Sequence, residues 1–265
     1  MEWRLIESDA PAAGAENMAL DHALFESVQT GGLPAVRFYR WDPPCLSLGR
    51  NQPAADRIDR ARMERAGVDV VRRPTGGLAV WHDRELTYAV VVPVGVLGSP
   101  RETYVAVNRA LVAGLRRLGV RAEVSGGGRG ATSRTAASGA LLGDAGGVCF
   151  REAAPGEVVA GGRKLIGSAQ RTERRVVLQH GSLLLDGDQR IVAELIPGPA
   201  GPPPATLRDV LGRIPDWPEL VSAMRAGFEE ALGIRLAPAA PSPGERARIE
   251  ALVEHYRSAA WTWRR

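Results

Sequence analysis

The stretch Arg72-Arg73-Pro74-Thr75-Gly76-Gly77-Leu78-Ala79-Val80-Trp81-His82-Asp83 sets two adjacent glycines between strand-like runs, with two arginines before them and a histidine after. Paired glycines let a backbone approach a ligand closely, and the N–H groups exposed in such a turn bind a carbonyl or phosphate oxygen. They also make ordinary hairpin turns, so this stretch taken by itself leaves both readings open. Working outward, Val68 to Arg72 predicts a buried strand. Leu78 to Trp81 predicts a strand paired in a hairpin with the β-branched run from Glu85 to Val94.

Upstream, apolar residues at helical spacing predict a helix from Ala15 to Gln29, ended by Gly31-Gly32. Strands over Ala35 to Trp41 and Cys45 to Leu48 follow, joined by an Asp42-Pro43-Pro44 turn, and Pro53 starts a helix to Ala66. Downstream come a helix over Tyr104 to Leu118 and a long mobile loop from Ser125 to Gly147, poor in core-forming side chains. A hairpin of Val158 to Ala160 with Arg163 to Gln170 turns at Gly161-Gly162, and a strand covers Arg175 to Leu185. The proline-rich joints Pro197 to Pro204 and Ala237 to Gly244 precede helices over Pro218 to Leu232 and Glu245 to Ser258. Neither segment can form its own core, so residues 205–265 are expected to pack back on a single domain spanning 1–265. The fold class expected is α+β, with a mixed, largely antiparallel sheet flanked by helices.

The chain has 265 residues, 45% of them hydrophobic, which suffices for one large core. Charges interrupt the N-terminal Met1 to Glu7, and the longest apolar run, Ala89 to Leu97, is too short to span a bilayer. The expectation is a soluble, cytoplasmic protein. Two cysteines make no disulfide framework, and His22, His82, His180 and His255 show no zinc-site spacing, so no metal is expected. The net charge is +4 with a pI near 9.6, but aromatic residues are only 5% and the arginines are dispersed, which disfavours nucleic-acid binding. A mildly basic surface does suit an acidic protein partner.

Val148-Cys149-Phe150 lies a little before Gly161-Gly162-Arg163-Lys164-Leu165-Ile166-Gly167-Ser168-Ala169-Gln170, and together they offer a thiol and an amine. A nearby ammonium stabilises a thiolate, so the pair suggests acyl transfer through an enzyme thioester. Cys45, in the apolar Cys45-Leu46-Ser47-Leu48 with no basic neighbour, reads as structural. Gly126-x-Gly128-x-x-Ala131 has no helix pattern after it and reads as loop, not as a dinucleotide fingerprint.

These motifs together resemble the lipoate–biotin protein ligase superfamily, whose lipoyl branch carries the arginine-rich glycine turn at Arg72 to His82, the lysine strand at Gly162 to Gln170 and a Gln-His-Gly-Ser segment at Gln179 to Ser182. Asn17-Met18-Ala19-Leu20-Asp21 also matches, and the motifs run in the family's order over residues 15–185. The resemblance implies the family's catalytic-domain fold. A cysteine shortly before the lysine strand, and Glu85-Leu86-Thr87-Tyr88 after the glycine turn, are similar to the Bacillus-type octanoyl-[acyl-carrier-protein]:protein octanoyltransferases. This implies an acyltransferase of lipoate biosynthesis with Cys149 and Lys164 catalytic. Arg73, Thr75, Gly76, Gly77, His82, Gly167, Ser168, Ala169, His180 and Gly181 would bind substrate.

The mechanism so implied needs no cofactor and no ATP. Octanoyl-acyl-carrier-protein, with its acyl group on phosphopantetheine, would acylate Cys149, and the lysine of a lipoyl-domain acceptor, such as glycine cleavage H protein or a 2-oxoacid dehydrogenase E2 subunit, would take the group. Lys164 would lower the thiol pKa and then help manage the acceptor amine's proton, while His82 and His180 are read as pocket walls and not as general bases. The loop from Ser125 to Gly147 would close over the acyl-enzyme. An ATP-dependent lipoate ligase, an amidotransferase between lipoyl domains and a non-catalytic acyl-binding protein stay open as alternatives.

Overall fold

The computed structural model describes residues 1–8, 10–54, 58–126, 155–196 and 202–264. Strand β1 (Glu2–Glu7) leads into helix α1 (Gly14–Gln29), then β2 (Ala35–Tyr39), β3 (Cys45–Leu48), α2 (Arg60–Arg65), β4 (Asp69–Arg72), β5 (Val80–His82) and β6 (Glu85–Pro93). Helix α3 (Pro100–Arg117) and β7 (Ala122–Val124) follow, then β8 (Val158–Ala160), β9 (Arg163–Glu173) and β10 (Val176–Leu184). The remainder is α4 (Ile191–Leu195), α5 (Leu207–Leu211), α6 (Trp217–Leu232), β11 (Arg235–Pro238), α7 (Pro243–Arg257) and α8 (Ala259–Thr262).

The larger sheet runs β11-β1-β2-β6-β10-β9-β8-β7, parallel through β11-β1-β2 and antiparallel beyond. Its central strand β6 is buried on both faces, and the two-residue period of a strand sends alternate side chains to separate cores. Leu86, Tyr88, Val90 and Val92 join the core under α3 and α6, whereas Ala89 and Val91 join the one under α1 and α7. The helices start where the sequence provides caps. Ser99 and Glu102 box the start of α3, Ser242 and Glu245 that of α7, and Asp216 caps α6.

A second sheet, ordered β4-β3-β5, sits over the α1 side. Here the structure corrects three sequence expectations. Cys45 to Leu48 does not share a sheet with Ala35 to Tyr39, because the Asp42–Pro43–Pro44 connection carries the chain from one sheet to the other. The strand expected over Leu78 to Trp81 does not form a hairpin with Glu85 to Val94, since β5 pairs antiparallel with β3 and β4 pairs parallel with β3. The glycine turn therefore crosses over the end of β3, and on the open edge of β5 the Gln189 amide gives and takes a hydrogen bond at the Trp81 backbone, 2.6 and 3.0 Å. Finally, helix α2 begins at Arg60 and not at Pro53, because the Asp59 carboxylate caps the Arg62 N–H.

Three strands went unassigned from sequence: β1, β7 and β11. Charges at Glu2, Arg4 and Glu7 mask β1, yet Trp3 and Leu5 are buried in the main core, and Ala237 and Pro238, read as part of a proline-rich joint, close β11 beside it.

Candidate active site

A cavity with about 370 Å³ of empty space, its open mouth included, lies between the two sheets. Its large-sheet wall is made by Tyr39 and Trp41 at β2 and just beyond it, Thr87 of β6, His180 to Ser182 of β10 and Gly167 to Ala169 of β9. Ser47, Arg73, Val80 and His82 line it from the small sheet, and Met18 from α1. The absent side chain of Gly181 is a packing requirement, since a Cβ there would stand 2.3 Å from the Gly167 carbonyl oxygen.

Two acid–histidine–hydroxyl arrays back this cavity. In the first, His180 Nδ1 lies 3.0 Å from Asp21 Oδ2 and Nε2 lies 2.6 Å from Thr75 Oγ1. Asp21 also accepts from the Tyr39 hydroxyl and from Arg37, at 2.9 and 2.7 Å. Burial pushes the Asp21 carboxyl up, but the Arg37 guanidinium and His180 outweigh it and hold it below the ordinary carboxylate value. Burial holds the His180 imidazole below its ordinary pKa, so it stands neutral with Nδ1–H donated to Asp21 and Nε2 receiving the Thr75 hydroxyl.

In the second array His82 Nδ1 lies 2.7 Å from Glu85 Oε1, and Nε2 lies 2.7 Å from Ser47 Oγ. Donor-only groups at both ends fix the proton order. Arg73 donates to Ser47 Oγ at 3.1 Å, so the Ser47 hydroxyl proton is free for His82 Nε2, and His82 Nδ1–H goes to Glu85. The Trp41 indole donates to Thr87 Oγ1, turning the Thr87 proton to Glu85, where Ser182 also donates. Trp41 and His82 stack with centroids 4.1 Å apart.

Lys164 is buried on β9, its Nζ 2.8 Å from Glu157 Oε1. Between β8 and β9 the register shifts, so that Val158 faces Ile166 while Val159 faces Lys164, and Leu165 is the extra residue. Such a bulge breaks the two-residue alternation that would otherwise give Lys164 the same face as Ile166 and Ser168. Lys164 does not itself line the cavity; Gly167, three residues along β9, does. Of the 34 lysine and arginine residues, Lys164 is the only lysine, a signal in the sequence that composition totals conceal. Ser125 and Glu157 clasp each other through backbone and hydroxyl hydrogen bonds of 2.7 and 3.1 Å. Cys149 and all but the first two residues of the expected Ser125–Gly147 lid lie outside the described residues. Cys45 is buried and its thiol is pushed well up by burial, with Asp69 and Glu85 adding to it, which leaves it inert.

A family model described as the lipoyl protein ligase A/B catalytic domain matches residues 13–229. The chain belongs to this family. It is 37% identical to an octanoyltransferase LipM of Kyrpidia tusciae over 99% of both chains, and 38% identical to one of Symbiobacterium thermophilum over 95% of this chain and 94% of that one. Among solved structures, lipoate-protein ligase A bound with ATP is similar with a TM-score of 0.79 at 25% identity over 99% of both chains. A putative lipoate protein ligase from T. acidophilum with bound lipoic acid has a TM-score of 0.78, also at 25% identity, over 99% of this chain and 100% of that one.

For this lipoyl ligase-type domain, the cavity brings together Arg73, His82, Gly167, Ser168, Ala169, His180 and Gly181 of the residues singled out from sequence. Arg73 is occupied in holding the turn, donating to the Gly76 and Leu78 carbonyls at 2.7 Å each and to Ser47. Thr75 sits behind the wall as the partner of His180, and Gly77 adopts a positive φ of 93° directly above Gly49. Sequence reasoning missed Asp21, Arg37, Ser47, Glu85 and Glu157. It also missed Arg72, which donates to carbonyls of Gly49 and Gln52 on one side and of Thr262 on the other. Asp21 and Glu85 stood inside quoted motifs, but an acid is visible as a histidine's partner only once the chain has folded.

Proposed function

We propose that this chain is an octanoyltransferase of lipoate biosynthesis, moving an octanoyl group from octanoyl-acyl-carrier-protein to a lipoyl-domain lysine through a thioester on Cys149. The near full-length similarity to proteins named octanoyltransferase supports the reaction class. The single observation that carries the site is the chain's only lysine, buried with Glu157 beside a slot lined by glycines. Composition has made every other cation an arginine, so a lone buried amine fits a chemical use. Arginine cannot replace it as a compact ammunition of charge at a thiolate, because its guanidinium is a broad plane and lysine's ammonium a point.

The Cys149 thiolate attacks the donor thioester, and the carrier thiol leaves. The acceptor lysine amine then attacks the acyl-enzyme, forming an amide. Thioester exchange is nearly balanced and the amide is more stable, so no ATP enters and no cofactor is invoked beyond the carrier's phosphopantetheine. Backbone N–H groups at Gly76-Gly77 or along the lysine strand would stabilise the oxyanion. The apolar part of the slot would hold the acyl chain, with about six methylenes contributing on the order of 5 kcal/mol of recognition. Glycine cleavage H protein and E2 lipoyl domains are the acceptors of the right chemistry.

Intact-protein mass after mixing with octanoyl-acyl-carrier-protein without ATP tests this. A hydroxylamine-sensitive gain of one octanoyl group, absent in Cys149→Ala, is expected. The likeness to an ATP-bound ligase keeps one other reading in view. If no adduct forms, and activity appears only with free acid and ATP and survives Cys149→Ala, the chain is a ligase.

A further inference from the structure

Three arginines gather beside the cavity, where the residues after α8 meet the glycine turn. Arg171 lies two residues beyond Ala169 on β9, so it shares the face that lines the cavity, about 7 Å farther along the strand. Arg50 follows Gly49, over which Gly77 crosses, and its backbone N–H donates to the Thr75 carbonyl at 2.8 Å. Arg264 is brought here by the buried Arg72, which donates to the Trp261, Thr262 and Arg264 carbonyls at 3.0, 2.9 and 3.2 Å. The Trp261 indole donates back to the Arg72 carbonyl at 2.9 Å.

Trp261 carries two of these cations, with Arg264 Cζ 4.3 Å and Arg50 Cζ 5.9 Å from its ring centroid, and the Arg264 guanidinium also donates to the Arg50 carbonyl. All three arginines are half-buried. Glu173 pairs with Arg171, its own side chain 43% exposed, whereas neither Arg50 nor Arg264 has an ion-pair partner among the described residues. Burial, and then the charges of Arg171 and Arg264, hold the Arg50 guanidinium below the ordinary arginine pKa. Like charges held together by packing repel, and a bound anion relieves that repulsion.

Resting on the octanoyl transfer read above, we propose that Arg50, Arg171 and Arg264 form a phosphate-ester site that binds the phosphate of the donor's phosphopantetheine beside the cavity. Guanidinium groups suit this ligand, because their forked N–H donors match pairs of phosphate oxygens. Stacking on Trp261 holds two of the guanidinium groups in place before the anion arrives, so little of their freedom is left to lose. A lipoyl-domain lysine brings no phosphate, so the site belongs to the first half-reaction. The phosphates of a nucleotide offer the same chemistry, and the two sources are separated by comparing donors.

The test offers the full chain octanoyl-phosphopantetheine and octanoyl-pantetheine, the same thioester without the phosphate, and reads kcat/KM for acyl-enzyme formation by intact mass. The wild type is expected to prefer the phosphorylated donor by about tenfold, through KM, and to lose that preference as salt rises. Arg50→Gln and Arg264→Gln should each bring the preference toward unity. Glu173→Gln, an exposed change that removes the competing acid, should raise it and so decides the matter if an arginine variant does not fold. No preference in the wild type would overturn the proposal and leave octanoyl transfer standing. Equal loss toward both donors in the arginine variants would show a structural role and overturn it, as would a fall in Glu173→Gln. If the small donors serve equally and only octanoyl-acyl-carrier-protein is slowed by the variants, the arginines meet acidic side chains of the carrier and the proposal fails. ATP binding by calorimetry that the variants lose, with no donor preference, assigns the phosphate to a nucleotide and also overturns it. Absence of any wild-type acyl-enzyme from the small donors or the carrier would instead refute the function read above, and this donor site with it.

Discussion

Replacing Lys164 with Met should destabilise the protein more than removing Lys164 and Glu157 together. Nζ and Oε1 stand 2.8 Å apart, with side chains 3% and 8% exposed. At an effective dielectric near 20 the attraction at that separation is about 6 kcal/mol, most of it offsetting the desolvation of the two groups. Lys164→Met removes the attraction but keeps the carboxylate buried, so the loss should be about 3–5 kcal/mol. In a chain of this size that lowers Tm by on the order of 10 °C. Lys164→Met with Glu157→Gln removes both charges and should recover most of the loss. Thermal and urea unfolding followed by circular dichroism measures all three proteins, and octanoyl transfer is assayed on the same samples. The refolded double variant should still transfer nothing, because it has no ammonium for the thiolate. A single variant that melts with the wild type, or a double variant no more stable than the single, would refute the buried ion pair. A double variant that transfers normally would remove Lys164 from the chemistry.

Two further outcomes follow from packing and charge. A Cβ at Gly49 would lie 1.9 Å from the Gly77 carbonyl oxygen, backbone against backbone, whereas nothing lies within 4 Å of one at Gly76. Gly49→Ala should therefore lose about 3 kcal/mol or more and displace the turn, while Gly76→Ala should stay within about 0.5 kcal/mol in urea unfolding; equal effects would contradict the close crossing. Burial lowers the His180 and His255 pKa values and brings His22 down to about 4. The unfolded chain takes up protons near pH 6.5 that the folded chain refuses, so stability present above about pH 6.5 is lost as pH falls toward the folded values. Asp21 acts lower, its contribution complete above about pH 3.9 and lost as pH falls through its depressed folded value. Tm should fall between about pH 7 and pH 5, and less steeply in His180→Gln; an unchanged slope in that variant would exclude His180 as a contributor.

Much of the fold was legible because its signals are local. Ser99 before Pro100 and Glu102 marks the start of α3 whatever surrounds it, and Gly161-Gly162 turns β8 into β9 by its own dihedrals, at φ of 57° and 75°. Pairing partners were not legible. Val80 to His82 lies next to Glu85 in sequence and reads as its hairpin mate, yet it pairs with β3. Burial of Leu46 and Leu48 against α2 and α4 decides that, and those contacts span long stretches of chain. The N-terminal strand escaped notice for a related reason, since alternation over so few residues is hidden by its charged outward side chains.

The sequence by itself determined the α+β class, the family and the seven cavity residues inside its motifs, because motif order and spacing survive without coordinates. Only the tertiary structure decided which acid stands behind which histidine. Asp21 reaches His180 across 159 positions and finds Arg37 already there, while Glu85 meets His82 three residues away and has no other ion-pair partner among the described residues. The electrostatic state of each pair depends on the summed charges within a few ångströms and on the exclusion of water, and neither is a property of any local stretch of chain.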